Sequence, residues 1–258
     1  MIPKIIHYVW LGGNPLPPKM RECIDSWKLH MPDFEIMVWD DERIREIDNT
    51  FMHEALAERK WAFVSDVVRL YAVCKYGGIY LDTDVLVYKS FEPLLGNSAF
   101  IGRENSMHVN GPETVNYLTT CCFGAERGNP FVARCLEYYR NRRFVTSDDT
   151  TLPMELRLDV RLNSEIFTIL AAQCGYNPSM LRNETQNCCG VLTVYPSWYF
   201  DPVGRKKDTY SAHLALGTWR ECGHDVWHYT LSDKIAWRVW AVVGKVVSRF
   251  NRRVIKLK

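Results

Sequence analysis

The sequence lacks several features that assign a chain to a class at once. It has nine cysteines but no CxxC pair and no cysteine–histidine spacing typical of a zinc site. Several of the cysteines fall inside apolar runs, so we expect free thiols and a reducing compartment. Because Met-Ile-Pro-Lys leads directly into a strand-like run, we expect no signal peptide. Charged residues interrupt the C-terminal stretch before about 20 apolar residues accumulate, which argues against a transmembrane span there.

The sequence also has little net charge, +2 from 32 basic and 30 acidic residues. That charge is unevenly placed, because residues 233–258 contain eight Lys/Arg and one acidic residue, which leaves −5 for residues 1–232. A mildly acidic body with a basic tail does not favour nucleic-acid binding. We expect an anionic partner for the tail alone.

With 258 residues and 47% hydrophobic content, the chain is long enough to bury the core of one large α/β domain. Strand-like runs alternate with helix-like periods, which favours a largely parallel sheet flanked by helices. We expect this domain to span residues 1–228 and an amphipathic helix to span residues 229–258. The expected strands lie at residues 4–10, 34–39, 79–87, 100–102, 120–124 and 191–195. The expected helices lie at residues 19–31, 41–58, 61–75 and 163–174, the last capped by Asn163 or Ser164, and residues 104–119 are expected to be irregular.

The most informative stretch is residues 62–87, which divides at the glycine pair Gly77-Gly78. Before the glycines, apolar residues recur every three or four positions and predict a mostly buried helix. Asp66 and Arg69 interrupt its apolar pattern three positions apart, so both project from one face. They belong either to a site or to a buried ion pair that fixes the helix. After the glycines, β-branched and aromatic residues predict a strand.

Two aspartates close that strand. Asp82 and Asp84 are two positions apart, so in an extended chain they lie on the same side, with Tyr80 beside them. Two adjacent carboxylates at the end of an apolar strand repel each other unless a cation lies between them. Mg²⁺ or Mn²⁺ suits such oxygen ligands. The alternative is a solvated strand end without a metal.

The segment SDVVRLYAVCKYGGIYLDTDV, residues 65–85, resembles the signature of the DXD-containing sugar transferases of glycosyltransferase family 32, the Och1-like type. The glucosylating domain of the large clostridial toxins shares this core pattern. HYVWLGG, residues 7–13, resembles the opening strand of the same enzymes. The resemblance implies a GT-A fold, a nucleoside-diphosphate-sugar donor such as a UDP- or GDP-sugar, a divalent metal and transfer with retention of configuration.

The resemblance also implies roles for individual residues. The implied catalytic residues are Asp66, Arg69, Asp82 and Asp84. The implied metal ligands are Asp82, Asp84 and His213. The implied donor-binding residues are Val9, Trp10, Asp66, Arg69, Tyr80, Thr218 and Trp219. Trp10 would stack on the nucleobase, its alternative being a core aromatic, and the alternative for His213 is a core histidine. Thr218 stands where the family commonly has serine, and it keeps the hydroxyl.

These observations predict a metal-dependent retaining glycosyltransferase with a glycan or lipid-linked oligosaccharide acceptor, in capsule or other polysaccharide assembly. Two alternatives remain. A glycoside hydrolase would work without metal and needs two carboxylates about 5–10 Å apart across the sugar. The second alternative is a non-catalytic membrane-surface protein with a transferase fold. In such a protein the four implied catalytic residues, Asp66, Arg69, Asp82 and Asp84, would have no catalytic role.

The C-terminal tail has one basic and one apolar face. Arg238, Lys245 and Arg249 lie on the basic face of the predicted helix, and Trp237 and Trp240 lie on the other. Such a helix suits the interface of an anionic membrane. Its alternative is a helix docked on the domain with a solvated basic face. We expect a cytoplasmic enzyme attached peripherally to the inner face of the membrane.

Overall fold

In the computed structural model, residues 1–105, 108–110, 113–202 and 204–217 are described. Residues 1–216 form one compact unit, and a second unit begins at Gly217. Apart from Gly217, that second unit lies outside the described residues, so the expected boundary at residue 228 and the basic helix stay predictions. Among the described helices, none has the length and apolar character needed to cross a membrane.

The compact unit alternates strands and helices. Its strands are β1 (Ile5–Val9), β2 (Glu35–Trp39), β3 (Gly78–Leu81), β4 (Val85–Val87), β5 (Ala99–Arg103), β6 (His108–Asn110), β7 (Glu113–Val115), β8 (Leu118–Ala125), β9 (Gln186–Cys188), β10 (Leu192–Tyr195) and β11 (Ser211–His213). Its helices are α1 (Pro18–His30), α2 (Thr50–Ala57), α3 (Trp61–Tyr76), α4 (Pro130–Glu137), α5 (Met154–Arg157) and α6 (Asn163–Ala172). Short 3-10 turns occupy Arg43–Glu46, Glu92–Leu94 and Ser197–Tyr199.

Seven strands form the main sheet in the order β2-β1-β3-β8-β5-β10-β9. The β1–β2, β1–β3 and β5–β10 pairs are parallel, whereas β8 and β9 run against their neighbours. Five of the seven strands therefore point the same way. The strands β4 and β11 pair separately, as do β6 and β7. The predicted α/β class with a largely parallel sheet is confirmed.

Hydrophobic side chains cover both faces of this sheet. Successive residues of a strand point to opposite faces, and Ile79 and Tyr80 accordingly belong to different core clusters. The cluster of Tyr80 also contains the apolar faces of α2, α3, α4 and α6. The cluster of Ile79 contains Ile24 and Trp27 from α1. Helices thus cover both faces, as the strand–helix alternation predicts.

A tight turn sets the position of β3 relative to α3. Gly77 and Gly78 have φ values of 68° and 106°, a backbone conformation that residues other than glycine rarely adopt. A Cβ at Gly78 would lie 2.6 Å from the Ile5 carbonyl oxygen, so no larger residue fits. His7 of β1 fixes the same turn by donating from Nε2 to the Gly77 carbonyl oxygen at 2.8 Å, while its Nδ1 accepts from Trp39 Nε1. Burial lowers the pKa of His7 to about 4, so its ring is neutral.

Two predicted segments differ in the structure. The single helix expected at residues 41–58 is interrupted, because Ile47 is extended and the Asn49 side chain caps α2 by accepting from the Met52 N–H. The irregular segment expected at residues 104–119 instead contains the β6–β7 hairpin and the start of β8. A polar hairpin has no apolar alternation for the sequence pattern to detect.

Candidate active site

The two aspartates lie in a turn between β3 and β4, not within one extended strand as predicted. The Asp82 N–H donates to the Cys121 carbonyl oxygen of the neighbouring strand at 2.8 Å. The Val85 N–H then donates back to the Asp82 carbonyl oxygen at 3.0 Å, which closes the turn. This turn separates β3, an interior strand of the main sheet, from β4, which pairs with β11 instead.

That second pairing brings His213 to the aspartates. His213 lies opposite Val85 in the β4–β11 register, and its Nε2 is 3.3 Å from Asp84 Oδ1. One ligand atom from each of Asp82, Asp84 and His213 lies within 4.8 Å of the others. The structure therefore places all three expected ligands around one point.

The electrostatics of Asp84 and His213 depend on each other. Burial is the largest single effect on Asp84 and raises its pKa, but the hydrogen bond and charge of His213 and the backbone N–H groups together outweigh burial, so the pKa is lowered. Burial lowers the pKa of His213, but the Asp84 carboxylate raises it to about 8. Without a metal, His213 is therefore mostly protonated near pH 7, and its imidazolium pairs with the Asp84 carboxylate. Two carboxylates and an imidazole form a donor set that a divalent ion such as Mn²⁺ fits, with the proton of His213 displaced.

The backbone after β11 also holds Asp84. The Leu214 N–H donates to the Asp84 carbonyl oxygen at 3.0 Å, and the Leu216 N–H donates to Asp84 Oδ2 at 2.9 Å. Between them, Ala215 has a φ of 50°, in the left-handed region. The strained residue directs both N–H groups toward the aspartate.

Asp66 and Arg69 are both buried, at 8% and 6% exposure, and both face the DXD turn. Arg69 Nη2 lies 3.3 Å from Asp66 Oδ1 and 3.5 Å from Asp82 Oδ1, so one guanidinium links helix α3 to the turn. Its other N–H groups donate to the Ser65 carbonyl and hydroxyl oxygens and to the Thr120 carbonyl oxygen. The buried Asp66–Arg69 ion pair, expected as the alternative to a site, is present. Because Arg69 also faces Asp82, this ion pair belongs to the site.

Tyr80 connects the same groups. Its hydroxyl donates to Asp82 Oδ1 at 2.7 Å, and the Arg69 guanidinium lies 4.7 Å from its ring centroid. Burial raises the pKa of Tyr80 well above its ordinary value, so the hydroxyl stays protonated. Asp82 is thus held from two sides by a hydroxyl and a guanidinium.

Two residues of the site were missed by the sequence patterns. Asn163 donates from Nδ2 to Asp66 Oδ1 at 3.0 Å, and Tyr139 donates to Asn163 Oδ1 at 3.5 Å. Asn163 was expected as a helix cap, but Leu162 occupies the cap position and Asn163 begins α6. Burial raises the pKa of Asp66 to about 6, although Arg69 and Asn163 oppose the shift.

Val9 ends β1, the strand next to β3, and Trp10 follows it directly. In the parallel β1–β3 register His7 lies opposite Tyr80, so Val9 is level with Asp82. Trp10 is only half-buried, and its Nε1 donates to the Asn14 carbonyl oxygen at 2.6 Å. Its position at the carboxyl end of a central strand is where open α/β sheets bind ligands. Thr218 and Trp219, the remaining expected donor ligands, lie outside the described residues.

Comparison with known proteins identifies the region that carries this site. Residues 17–101 match the family model described as "Glycosyltransferase sugar-binding region containing DXD motif". Residues 17–101 are therefore similar to the sugar-binding region of the DXD glycosyltransferases. The matched segment includes Asp66, Arg69, Asp82 and Asp84, so the resemblance to DXD-containing sugar transferases is confirmed.

Several named proteins are similar to this chain. Inositol phosphoceramide mannosyltransferase 3 of Schizosaccharomyces pombe is 35% identical over 148 residues, which are 54% of this chain and 37% of that protein. Mannosyl phosphorylinositol ceramide synthase SUR1 of Saccharomyces cerevisiae is 28% identical, over 43% of this chain and 30% of its own. The solved PaToxG glycosyltransferase superposes with a TM-score of 0.45 at 19% identity, covering 67% of this chain and 69% of that one. The chain thus spans less than half the length of these two yeast relatives.

Proposed function

We propose that this chain is a metal-dependent, retaining glycosyltransferase that moves a sugar from a nucleoside-diphosphate sugar to a glycan or lipid-linked acceptor. One observation carries the proposal. The four acidic and basic residues of the matched region converge at the carboxyl end of β3, and His213 joins them from a strand about 130 residues later. A solvated strand end would not need a buried arginine paired with its Asp82 carboxylate.

Asp82, Asp84 and His213 would hold Mn²⁺ or Mg²⁺, and the imidazole favours Mn²⁺ over Mg²⁺. A bound divalent ion neutralises charge on the departing nucleoside diphosphate. Among the described residues, the contacts to Asp82 all fall on Oδ1, which accepts from Tyr80 and faces Arg69. The second oxygen of Asp82 is therefore open to a metal, while the first keeps the side chain in place.

Asp66 and Arg69 would bind the donor sugar. The hydrogen bond from Asn163 and the ion pair with Arg69 both fall on Asp66 Oδ1. Within the described part of the chain, Oδ2 of Asp66 is left to accept from a sugar hydroxyl. The Tyr80 hydroxyl holds Asp82 through its hydrogen bond to Oδ1. Trp10 and Val9 would hold the nucleobase of the donor at the end of β1.

The yeast relatives are named for mannose transfer to inositol phosphoceramide. Those names support mannose as the transferred sugar and a phosphoinositol lipid or a lipid-linked glycan as the acceptor class. Work on such an acceptor fits a peripheral attachment to the inner face of the membrane, with the basic tail on the anionic lipids. We keep polysaccharide or capsule assembly as the wider setting of this proposal.

Donor hydrolysis tests the proposal directly. UDP- and GDP-sugars are incubated singly with the protein in Mn²⁺ and in EDTA, and release of the nucleoside diphosphate is measured. We expect slow, metal-dependent turnover of one donor, reduced by about 100-fold or more in Asp84→Asn. Asp33→Asn is the matched control, because Asp33 pairs with Lys4 on the exposed surface.

The alternatives give different results in the same assay. A metal-independent glycoside hydrolase would cleave glycosides in EDTA and leave the nucleotide donors intact. A non-catalytic protein would neither turn over nor bind any donor in calorimetry. Full activity of Asp84→Asn in EDTA would refute the metal assignment.

A further inference from the structure

A basic and aromatic surface lies at the far end of the β4–β11 ribbon from the metal site. The Arg205 guanidinium lies 4.5 Å from the Tyr88 ring, Lys206 Nζ lies 3.9 Å from Trp198, and Lys89 Nζ lies 4.0 Å from Tyr210. Lys207 follows in the same loop. We call the set the basic–aromatic patch: Tyr88, Lys89, Trp198, Arg205, Lys206, Lys207 and Tyr210.

The four cations of this patch lie close together and lack carboxylate partners among the described residues. In the part of the chain that the structure describes, no carboxylate lies within 4.0 Å of any of the four cations of the patch. Several other cations of the protein do have such partners. Ion-paired cations outside the patch are Lys4, Lys19, Lys28, Arg140 and Arg157. The loop that carries Arg205, Lys206 and Lys207 also contains Asp208, so four cations stand against one nearby carboxylate and the patch keeps a local positive charge.

The patch rests on a rigid base. Tyr199 stacks on Tyr210 at 5.6 Å and on Tyr195 at 4.7 Å. The Tyr88 N–H donates to the Tyr210 carbonyl oxygen at 2.8 Å, and Lys89 Nζ donates to the Lys207 carbonyl oxygen at 3.0 Å. These contacts join the end of β4 to the start of β11. Positive charge is thus presented on a fixed surface.

We propose that the basic–aromatic patch binds an anionic lipid surface. Basic residues contribute to binding at anionic membranes, and tyrosine and tryptophan rings favour the interface between headgroups and acyl chains. Arg205 covers one face of Tyr88 and Lys206 covers one face of Trp198, which leaves less ring surface for stacking with nucleic-acid bases. Charge complementarity and ring geometry together favour lipid.

The position of the patch relates it to the reaction. Asp84 and His213 lie at one end of the paired strands, and Tyr88 and Tyr210 lie at the other. Three to four residues of extended chain separate them, which is about 10–13 Å. A lipid surface at the patch would therefore lie one headgroup layer from the metal site. The proposal goes beyond the transferase function, and vesicle binding tests it without any turnover.

The test uses the full chain and sedimentation with phosphatidylcholine vesicles that contain or lack phosphatidylserine. The variant Arg205→Gln/Lys206→Gln/Lys207→Gln changes exposed residues only. We expect its binding to phosphatidylserine vesicles to fall about tenfold or more while the basic tail stays intact. The matched control is Lys19→Gln/Arg21→Gln/Lys28→Gln on α1, which removes the same charge and should bind as the wild type does.

Three results would overturn the proposal. Unchanged binding of the patch variant would show that the patch does not contact lipid. An equal loss in the α1 control would show that only total charge matters. Tighter binding to single-stranded DNA than to the vesicles would assign the patch to a nucleic acid. Thermal unfolding of each variant checks the fold, and Trp198→Ala, at constant charge, should also weaken vesicle binding.

Discussion

Replacing Asp66 by asparagine tests whether burial or the neighbouring arginine controls this carboxyl group. Asp66 is 8% exposed, and burial raises its pKa from 3.8 to about 6 despite the Arg69 guanidinium. An acid whose pKa is higher in the folded than in the unfolded state makes folding less favourable as pH rises between the two values. A shift of about two units corresponds to about 3 kcal/mol. Asparagine keeps an oxygen that can accept from Asn163 but does not titrate.

The assay is urea unfolding of the wild type and Asp66→Asn in EDTA, at intervals from pH 4 to pH 8. The free energy of unfolding of the wild type, minus that of the variant, should fall by up to about 3 kcal/mol across this range. Asp33→Asn is the control of opposite sign, because a hydrogen bond from Lys4 lowers the pKa of exposed Asp33. Parallel curves for wild type and Asp66→Asn would refute the reasoning, and a difference that rises with pH would show that Arg69 outweighs burial.

Three further predictions concern single groups. The proton of His213, whose pKa is raised to about 8, has to leave before its imidazole can bind metal. The Mn²⁺ affinity of the wild type, measured by calorimetry, should therefore increase with pH up to about pH 8. In His213→Gln this dependence of affinity on pH should be lost. A pH-independent affinity in the wild type would contradict the assignment. Asn163→Ala should reduce donor hydrolysis about tenfold or more with the fold intact, whereas Tyr139→Phe should have a smaller effect because its bond to Asn163 is 3.5 Å long. Gly78→Ala should destabilise the protein by about 2 kcal/mol or more in thermal unfolding, whereas Gly96→Ala, where a Cβ meets nothing within 4 Å, should not.

The local part of the site could be predicted because it depends on short-range patterns. The helical period places Asp66 and Arg69 on one face of α3, and they lie 3.3 Å apart in the structure. The Gly77-Gly78 pair marks the end of the helix, and both glycines adopt positive φ. Helix, turn and strand together occupy fewer than thirty residues, so no distant contact is needed to define them.

The remaining partners come from distant parts of the chain. Asn163 is 97 residues from Asp66, and Leu216 is 132 residues from Asp84. Nothing in the local pattern distinguishes Asn163 from an ordinary helix cap, because caps and buried amides use the same residue type. His213 could be predicted only by resemblance, since its place depends on the pairing of β11 with β4. The turn at Asp82 likewise follows from β4 leaving the main sheet, which no periodicity encodes.

The charge balance of the assembled groups explains why a divalent ion suits this site. Three carboxylates, those of Asp66, Asp82 and Asp84, meet one permanent cation, Arg69, within a largely buried volume. With His213 neutral, the five side chains carry a net charge of −2 when all three carboxylates are ionised. A proton on His213 leaves −1, whereas a divalent ion brings the set to zero and leaves the imidazole free to bind it. The same protein contacts that orient the carboxylates thus leave the negative charge that a metal would neutralise.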